Sequence, residues 1–479
     1  MLHRSCKVTL QLGNNTEVAN GSCDKNLTAA KPRSRSGKES TMNTYLKLIA
    51  KVLRVIVPGI LVLLLSSGLR AQFLLVDCSG TNPSAYPSIN AALPSAGPGA
   101  FILVTGACNE NVSLQGQNAL NLGAFYGQTA AVNGGITINN SQNIFLYGLN
   151  VTNPSGDGIG VNSSRSVTLD TCTSNGNPGV GLNVGGGSDV TVSAMGAFDN
   201  NARGGINISS NSLVAILAWT GLVDISGNAG PGVWASQASF ATLGRTTIAN
   251  NTFGPGSNSG YGIDLRGGAR AQVGTVFGPN LISGNQSGGA WLQENSETSF
   301  WFGGYRNIIQ DNGPVGVLAG FGSQVTFFNS VQVSGHSSAG VDVYANSQAY
   351  FAGANIVEGN GSGGDARNAG IRIDGNSEAF LRGGQVSGNS GPGVLALVNS
   401  SADFSGVSFS GNASIIACDT SSTMVSDLAH PNSTLPAGVS CRTPHGLGGR
   451  QIIKAQPTVP DWSAHKTLHD RYAKRAVKH

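Results

Sequence analysis

The chain returns to one short pattern every 23 to 30 residues, and this repeat limits its fold more than any other feature. Each equivalent point is a glycine followed by a small or branched apolar residue. The eleven points are Gly135-Ile136, Gly158-Ile159, Gly181-Leu182, Gly205-Ile206, Gly232-Val233, Gly262-Ile263, Gly289-Ala290, Gly316-Val317, Gly340-Val341, Gly370-Ile371 and Gly393-Val394. A period of this length, rich in β-branched residues, Gly and Asn, is typical of stacked coils that each contact only their neighbours.

Each repeat has the same internal order. Alternating apolar and polar residues, as at 340–344, predict a strand, and the Asn-Ser pair at 346–347 predicts a turn because Asn tolerates left-handed backbone angles. A second strand carries an aromatic residue, and a third ends in Ser-Gly-Asn, as at 226–228. Three short strands per coil, with parallel neighbours about 4.8 Å apart, predict a parallel β-helix. Eleven marked coils predict a rod of roughly 50 Å at that spacing.

Two columns of residues recur at the coil spacing, and we expect both to stack inside the solenoid. The asparagine column comprises Asn175, Asn228, Asn285, Asn312, Asn360, Asn389 and Asn412. The aromatic column comprises Phe277, Phe300, Phe327, Tyr350, Phe380 and Phe404. A ligand-binding track is the alternative, but equivalent residues on successive coils of a solenoid stack on one another as a matter of course.

The net charge of +4 averages regions of opposite sign. Residues 73–445 contain ten Arg, no Lys and nineteen acidic residues, whereas the segments on either side are basic. A body without a basic stripe cannot neutralise a phosphate backbone, so we expect no nucleic-acid partner.

Residues 42–71 are typical of a secretory signal peptide. Lys47, Lys51 and Arg54 form a positive region before an apolar run at 55–65, and small residues precede Gln72. Eleven apolar residues are too few for a membrane span, so we expect no stable transmembrane segment in the mature chain. The predicted location is secreted, periplasmic or on the cell surface.

The predicted organisation follows from these boundaries. Residues 1–41 are interpreted as an over-called start or a disordered leader, with Met42 as the initiator; if Met1 is the start, 42–71 is an internal anchor. Residues 72–445 are predicted to form the β-helix domain, and 446–479 a basic C-terminal tail.

The cysteines predict a staple at each end of the solenoid. Cys78 and Cys108 are 30 residues apart, and Cys418 and Cys441 are 23 apart, about one coil length in each case. Half-cystines one coil apart can face each other on adjacent turns, which predicts both disulfides. Cys172 is then left over and is expected to be a small buried hydrophobe.

The opening of the body resembles a known family. Residues 76–80, a Tyr-Pro-Ser-Ile-Asn-Ala-Ala segment at 86–92, and 102–112 with its Glu-Asn-Val are similar to the start of right-handed parallel β-helix proteins of the pectin-lyase-like superfamily. The resemblance covers about 73–420 with the coils. It implies an all-β, single-stranded right-handed parallel β-helix (a solenoid). Open ends of the sheets need an N-terminal helical cap, because exposed strand edges template aggregation, and residues 77–112 are the expected cap with 85–93 as its short helix. The superfamily includes lyases, hydrolases, esterases, epimerases and non-catalytic surface proteins, so it does not imply one activity.

Catalytic motifs of that superfamily are incomplete in this chain. The paired Asp of polygalacturonases is absent, and His336 stands where other coils carry Asn. The segment 261–266 resembles the Tyr-Gly-Phe-Asp-Pro-His of alginate epimerases without its Pro-His, which makes Asp264 and Arg266 weak catalytic candidates. No cofactor or metal site is predicted, and Ca²⁺ enters only under a lyase alternative.

Several charged residues have the spacing to share one outer face, which we expect to be solvated. They are Arg266, Arg270, Arg306, Arg367, Arg372, Arg382, Asp264, Asp342 and Asp374.

Three aromatic residues are candidate ligand-binding groups: Trp291, Trp301 and Tyr305. Neighbours on a strand point to opposite faces, so an inward Phe300 predicts an outward Trp301. Outward rings stack on sugars, although packing under a loop is an equal alternative.

The sequence therefore predicts an exported β-helix protein that presents a repetitive surface to polysaccharide or cell-envelope glycan without catalysis. The alternative is a carbohydrate-active enzyme, a lyase, hydrolase or epimerase, acting on uronate-rich polymers. A purely structural rod is a third interpretation. Acids and an Arg that converge in a groove would favour the enzyme, and a uniform Ser, Asn and Thr surface would favour the scaffold.

Overall fold

A computed structural model describes residues 8–12, 15–19, 72–126, 128–254, 259–301, 303–365 and 367–426. The chain divides into two compact units, Met1–Arg70 and Ala71–His479. In the first unit, Val8–Leu12 pairs antiparallel with Asn15–Ala19. The predicted signal peptide and basic tail lie outside the described residues. None of the described helices is long and apolar enough to cross a membrane.

The second unit is a parallel β-helix built from three sheets, as predicted. The chain passes through sheet 1, sheet 2 and sheet 3 in turn, and every strand pairs in parallel with its equivalents one coil away. Fifteen strands in sheet 1, spaced about 4.8 Å apart, give a rod of roughly 65 Å, longer than the glycine-marked coils predict because unmarked coils lie at both ends.

Sheet 1 contains Phe73–Asp77, Phe101–Thr105, Asn121–Ala124, Gln142–Tyr147, Arg165–Asp170, Asp189–Ser193, Leu213–Leu217, Phe240–Gly244, Arg270–Val273, Glu297–Phe300, Gln324–Phe328, Gln348–Ala352, Glu378–Arg382, Ser401–Ser405 and Thr423–Ser426. Sheet 2 contains Ala107–Cys108, Ala130–Val132, Leu149–Val151, Thr173–Ser174, Gly196–Ala197, Val223–Ser226, Thr246–Ala249, Asn280–Ser283, Asn307–Gln310, Val331–Ser334, Ile356–Glu358, Gln385–Ser387 and Ser408–Ser410. Sheet 3 contains Val112–Gln115, Ile136–Asn139, Ile159–Asn162, Val180–Gly185, Gly204–Ile208, Val233–Ala235, Tyr261–Leu265, Gly288–Leu292, Val315–Ala319, Ala339–Val343, Ala369–Ile373, Pro392–Ala396 and Ser414–Cys418.

A short helix closes the N-terminal end, shorter than the predicted 85–93. Helix α1 spans Ile89–Ala92 and continues as a 3₁₀ turn over Leu93–Ser95. The Ser88 hydroxyl caps α1 by accepting from the Ala91 amide at 3.1 Å. The Glu110 carboxylate accepts from the first amides of the helix, at 2.6 Å from Ile89, and so ties the cap to the second coil.

One predicted disulfide is confirmed. Cys78 and Cys108 are bonded, with their Cα atoms 5.1 Å apart, and link the first two coils beside the cap. Cys172 is free and buried, as expected. The second disulfide stays a prediction because Cys441 lies outside the described residues.

The aromatic column is real, but part of its predicted membership is wrong. Phe300, Phe327 and Phe351 stack inside sheet 1 with centroids 5.3 and 4.5 Å apart. Tyr350 and Phe380 instead lie on the outer face, because a shift of one residue along a strand moves a side chain to the other side of the sheet.

Two further positions complete this correction. Leu381 pairs with Phe351 and occupies the inward place on its coil. Phe277 lies beyond its strand, and Val273 pairs with Phe300 in its place.

The asparagine ladder is longer than predicted. Each side-chain amide Nδ2 donates to the Oδ1 of its equivalent on the next coil at 2.7 to 3.1 Å, with one interruption between 312 and 360. Its members are Asn177, Asn201, Asn228, Asn251, Asn285, Asn312, Asn360, Asn389 and Asn412. Asn175 is not one of them, because strand register aligns Asn177 with Asn228, and Asn175 accepts from the Asp199 amide instead.

His336 occupies the ladder position at the interruption. Its backbone amide donates to Asn360 Oδ1 at 3.2 Å, and its two ring nitrogens face the carbonyl oxygens of Ile309 and Asn312 at 3.2 and 3.4 Å. The ring is fully buried, and this burial lowers the pKa of His336. A neutral imidazole donates from only one nitrogen, so one carbonyl faces a ring nitrogen without a proton.

The marker glycines lie beside this ladder, where successive coils come closest. A Cβ at Gly340 would be 2.7 Å from Asn360 Nδ2 and 2.8 Å from the Gly370 carbonyl oxygen. The same two contacts, at 2.8 Å each, would meet a Cβ at Gly232. Glycine therefore marks the period because no side chain fits between adjacent coils there.

A serine ladder runs along the corner between sheets 3 and 1. Each serine amide donates to the hydroxyl of the next serine at 3.0 to 3.3 Å. The serines are Ser141, Ser164, Ser188, Ser212 and Ser239, then Ser296, Ser323, Ser347, Ser377 and Ser400. These turns satisfy their buried backbone donors through the next serine hydroxyl, as buried amides require.

We expect Gly340→Ala to destabilise the solenoid by about 1–3 kcal/mol, the usual cost of overpacking. Gly160→Ala is the matched control, because a Cβ there would meet nothing within 4 Å. Urea denaturation followed by circular dichroism measures both. Equal stability of the two variants would contradict the steric explanation of the repeat.

We expect His336→Asn to remove a loss of stability that the wild type shows between pH 7.5 and 5. The folded pKa of His336 is lowered, so its contribution is present above about pH 6.5 and is lost as the pH falls. Burial raises the pKa of Asp199 to about 6, which acts in the opposite direction. The difference in unfolding midpoint between wild type and variant at each pH isolates the histidine, and a constant difference would contradict its buried neutral state.

Candidate ligand-binding face

The outer face of sheet 3 carries one residue per coil, always two positions after the marker glycine. We call this set the sheet 3 row. It comprises Thr137, Gly160, Asn183, Asn207, Trp234, Asp264, Trp291, Leu318, Asp342, Arg372 and Leu395. Inward neighbours on both sides of each member are apolar, so the alternation of the strands points the row outward.

The N-terminal part of the row is polar and concave. A groove of about 500 Å³ lies over Thr137, Gly160 and Asn183, with Asp157 and Ser209 at its sides. A hydrogen-bonded chain crosses it: Asn183 Nδ2 donates to Asp157 at 2.8 Å, and Asn207 Nδ2 donates to Asn183 Oδ1 at 2.8 Å. Asp157 also accepts from the Val180 amide at 2.8 Å, so its carboxylate is fixed in place.

The centre of the row is a stack of two tryptophans with an ion pair between them. Arg266 Nε and Nη2 donate to both oxygens of Asp264 at 2.9 and 2.8 Å. The guanidinium carbon lies 5.8 Å from the Trp234 ring centroid and 5.0 Å from that of Trp291. Each ring therefore covers the cation from one side, a cation–π arrangement that also holds the rings apart.

This ion pair is closed. Asp264 is fully buried, whereas the Arg266 side chain keeps 32% of its exposure. The hydrogen bonds to Asp264 raise the pKa of Arg266, so the guanidinium stays charged. Both carboxylate oxygens are occupied, and the pair offers no free base for proton abstraction.

Two tyrosines extend the aromatic surface across the strands. Tyr261 packs on Trp291 with centroids 5.1 Å apart and lies over Gly288, where a Cβ would be 2.6 Å from its ring. Tyr344 lies over Gly320 in the same way, with a Cβ distance of 2.3 Å. Burial raises the pKa of both phenols, so they remain neutral hydrogen-bonding groups.

The C-terminal part of the row holds a second network of charges. Arg372 Nη1 donates to Asp342 at 3.0 Å, and its Nη2 donates to Asp374. Asp342 is buried, which raises its pKa even though Arg372 opposes the shift. Each of these three charged groups has a partner within the protein, although Asp342 Oδ1 and Arg372 Nε are buried without a hydrogen bond of their own.

The structure brings three of the five predicted site residues together and separates the other two. Asp264, Arg266 and Trp291 form the centre of the row. Trp301 and Tyr305 lie past the end of a sheet 1 strand, on the way to sheet 2, and are 37% and 47% exposed. Trp301 points outward as predicted, but it belongs to another corner of the solenoid.

The predicted charged face is correct only in part. Arg266 and Arg372 share the outer face of sheet 3 with Asp264, Asp342 and Asp374. Arg367 is exposed, and its charge acts on Asp342 and Tyr344, so it belongs near this face as well. Three other members belong elsewhere. Arg270 pairs with Glu297 and Arg382 with Asp403, all on sheet 1, and Arg306 hydrogen-bonds Gln332 near sheet 2.

Trp234, Asn183 and Asn207 are functional candidates that the sequence reasoning missed. Their signal was present, since each lies two residues after a marker glycine, as Asp264 and Trp291 do. Listing the residue two positions after each marker glycine would have identified the row from the sequence alone.

Comparison with known proteins bears on the fold. Residues 134–304 match the family described as "Right handed beta helix region". No curated protein matches the chain. Solved structures that are similar to the chain have TM-scores below 0.5. The assignment of the fold therefore depends on the three sheets and on the family match.

Three solved structures, of an epimerase, a lyase and an exopolygalacturonase, are similar to this chain. The chain is similar to the mannuronan C-5 epimerase AlgE6 A-module of Azotobacter vinelandii, with 15% identity and TM-score 0.42 over 71% of this chain and 93% of that chain. It is similar to an alginate lyase from Paenibacillus sp., with 13% identity and TM-score 0.26 over 74% and 99%. It is also similar to a family 28 exopolygalacturonase of Yersinia enterocolitica, with 12% identity and TM-score 0.24 over 75% and 78%.

We expect Arg266→Ala to lower the free energy of unfolding by about 2–3 kcal/mol, because it leaves the Asp264 carboxylate buried without its partner. The double variant Asp264→Leu/Arg266→Ala should recover most of that loss, since Leu318 shows that leucine fits the row. Urea titration of the wild type and both variants is the measurement. A double variant no more stable than the single one would contradict the closed-pair interpretation.

Proposed function

We propose that this chain, a right-handed parallel β-helix protein of the pectin-lyase-like superfamily, binds polysaccharide along the outer face of sheet 3 without cleaving it. The observation that carries the proposal is the alignment of Trp234 and Trp291 on the row. They are two coils apart, about 10 Å along the axis at the usual strand spacing, which is comparable to the length of a disaccharide.

Aromatic rings of this kind suit sugars. A sugar ring has an apolar face of C–H groups, and a tryptophan offers a flat apolar surface with a polar edge. Trp234 is 37% exposed and Trp291 is half-buried. Arg266 covers one side of each ring and Tyr261 also packs on Trp291, so the ligand would use the parts of the rings that stay exposed. Arg266 keeps the two platforms at a fixed separation.

Polar groups continue the same line. Asn183, Asn207 and Thr137 supply amide and hydroxyl groups beside the groove, which match the hydroxyls of an extended glycan. A few placed polar groups beside an apolar platform are typical of a ligand site.

The charges favour binding over catalysis. A lyase or epimerase needs a base that reaches the sugar, and a hydrolase needs a carboxyl group beside the scissile bond. Asp264 and Asp342 are instead buried and paired with arginines. The enzyme alternative would require one of these pairs to open, or the Asp157 carboxylate at the side of the groove to act as the base or acid.

We place the protein outside the cytoplasm, in a secreted, periplasmic or cell-surface location. The signal-like segment 42–71 motivates this proposal, and the disulfide between Cys78 and Cys108 is of a kind that persists in oxidising compartments. A cell-surface glycan is then an accessible partner.

The test is incubation of the purified full chain with pectic, alginate, glucan, xylan and mannan polymers, with Ca²⁺ or with EDTA. Retention on each polymer reports binding. Unsaturated uronate absorbance, released methanol and new reducing ends report turnover. Retention without turnover supports the proposal, and turnover on any polymer would establish the enzyme alternative.

We expect Trp234→Ala and Trp291→Ala each to weaken binding about tenfold, because loss of an anchoring aromatic costs more than about 1 kcal/mol. Trp219→Ala is the matched control, since Trp219 is also 37% exposed but follows a sheet 1 strand. Trp301→Ala tests the other predicted residue. Loss of binding in the Trp301 variant alone would move the site to that corner.

A further inference from the structure

We infer that the polysaccharide taken by this face is uncharged, an inference that rests on the proposed binding function. It follows from how the charged groups of the face are used. Four carboxylates, of Asp157, Asp264, Asp342 and Asp374, accompany the guanidinium groups of Arg266 and Arg372.

In Arg266 and Arg372, at least one nitrogen of every fork already donates to a carboxylate of the protein. The exposed Arg367, whose charge acts on Asp342, is the remaining cation of this region. Recognition of a carboxylate by arginine uses the two parallel N–H groups of its fork. Arg266 spends that fork on Asp264, and the Trp234 and Trp291 rings lie over its two sides. Arg372 directs its two terminal nitrogens to Asp342 and Asp374, and its side chain is only 14% exposed.

The remaining charge would repel a polyanion. Asp157 lies at the side of the groove, and its carboxylate accepts hydrogen bonds from an amide and an asparagine but faces no cation among its described contacts. A uronate chain placed along the row would set like charges side by side, which is unfavourable. The whole body, with ten Arg, no Lys and nineteen acidic residues between 73 and 445, acts in the same direction.

A bridging cation is not built into the face either. Within the described part of the chain, the only ligand-like group of three His, Cys, Asp or Glu residues is Cys78, Cys108 and Glu110. That group lies at the cap, its two cysteines form the disulfide, and Glu110 caps α1. The carboxylates of sheet 3 are spread along the row.

Neutral groups supply what an uncharged sugar needs. The face offers two indole platforms, the amides of Asn183 and Asn207, and the hydroxyl of Thr137. Gly160 leaves open space above the sheet, because a Cβ there would contact nothing within 4 Å.

The experiment compares polymers that share a backbone and differ only in charge. The pairs are fully methyl-esterified and de-esterified homogalacturonan, and carboxyl-reduced and native alginate, with glucan, xylan and mannan as neutral references. Retention of the full chain is measured at 0.05 M and 0.5 M NaCl, with EDTA and with Ca²⁺. The Trp234→Ala variant is run in parallel to tie retention to the row.

We expect at least tenfold stronger retention on the neutral member of a pair or on a neutral reference, with little change between the two salt concentrations. Stronger or equal retention of an acidic polymer would overturn this inference and leave polysaccharide binding intact. Retention of no polymer of either class would overturn the proposed function and this inference together.

A gain-of-function variant gives an independent check. Asn207→Arg adds an unpaired guanidinium beside Trp234 in the row, and Asn207→Gln is its neutral control. We expect the arginine variant alone to gain several-fold in retention on de-esterified homogalacturonan at low salt and to lose that gain at 0.5 M NaCl. No gain would mean that charge does not set the specificity of this face.

Discussion

The close approach of adjacent coils at the marker glycines is the constraint on which the rest of this structure depends. At Gly181, Gly232 or Gly340 a methyl group would collide with an asparagine amide of the ladder and with the carbonyl oxygen of the next marker glycine. The ladder amides join neighbouring coils at this point through buried hydrogen bonds, which are strong in a site that excludes water. Together they set the register of successive coils wherever the ladder is continuous, from 177 to 312 and from 360 to 412.

Because of this register, the sequence pattern determines which residues share the outer face of sheet 3. Because each marker glycine is held over the previous one, the residue two positions later also stands over its equivalent, and its side chain points away from the core. Trp234, Asp264 and Trp291 become neighbours in this way although 57 residues separate the first from the last. The Asp264–Arg266 pair then fixes the spacing of the rings, so the binding candidates are held by the same framework that holds the fold.

Much of the fold could be predicted from the sequence because the same pattern of strands and turns occurs in every repeat. The three strands per coil and the Cys78–Cys108 bond followed from spacing, and the cap followed from the need to cover the open end of the sheets. The errors arose where one residue decides the outcome: Tyr350 and Phe380 sit next to the inward positions, and Asn175 is two residues from the ladder. The site was harder to predict, because a corner of the coil separates residues that are close in sequence. Trp291 is on sheet 3, and Trp301, ten residues later, follows the end of a sheet 1 strand. Trp234 was overlooked although it lies two residues after Gly232, as Asp264 lies two residues after Gly262.

The coils differ in length, from 23 to 30 residues, yet the strands and ladders stay in step, so the extra residues are taken up in the turns. Consequently, length can change within a coil without altering the distance between platforms, and that distance can change only by adding or removing an entire coil. A duplication of the coil between Gly262 and Gly289 would move Trp291 one strand spacing further from Trp234 and place a second copy of the Asp264–Arg266 pair between them. The distance between equivalent positions is therefore a whole number of strand spacings. Variation in length among such chains is expected to change the extent of the surface by entire coils.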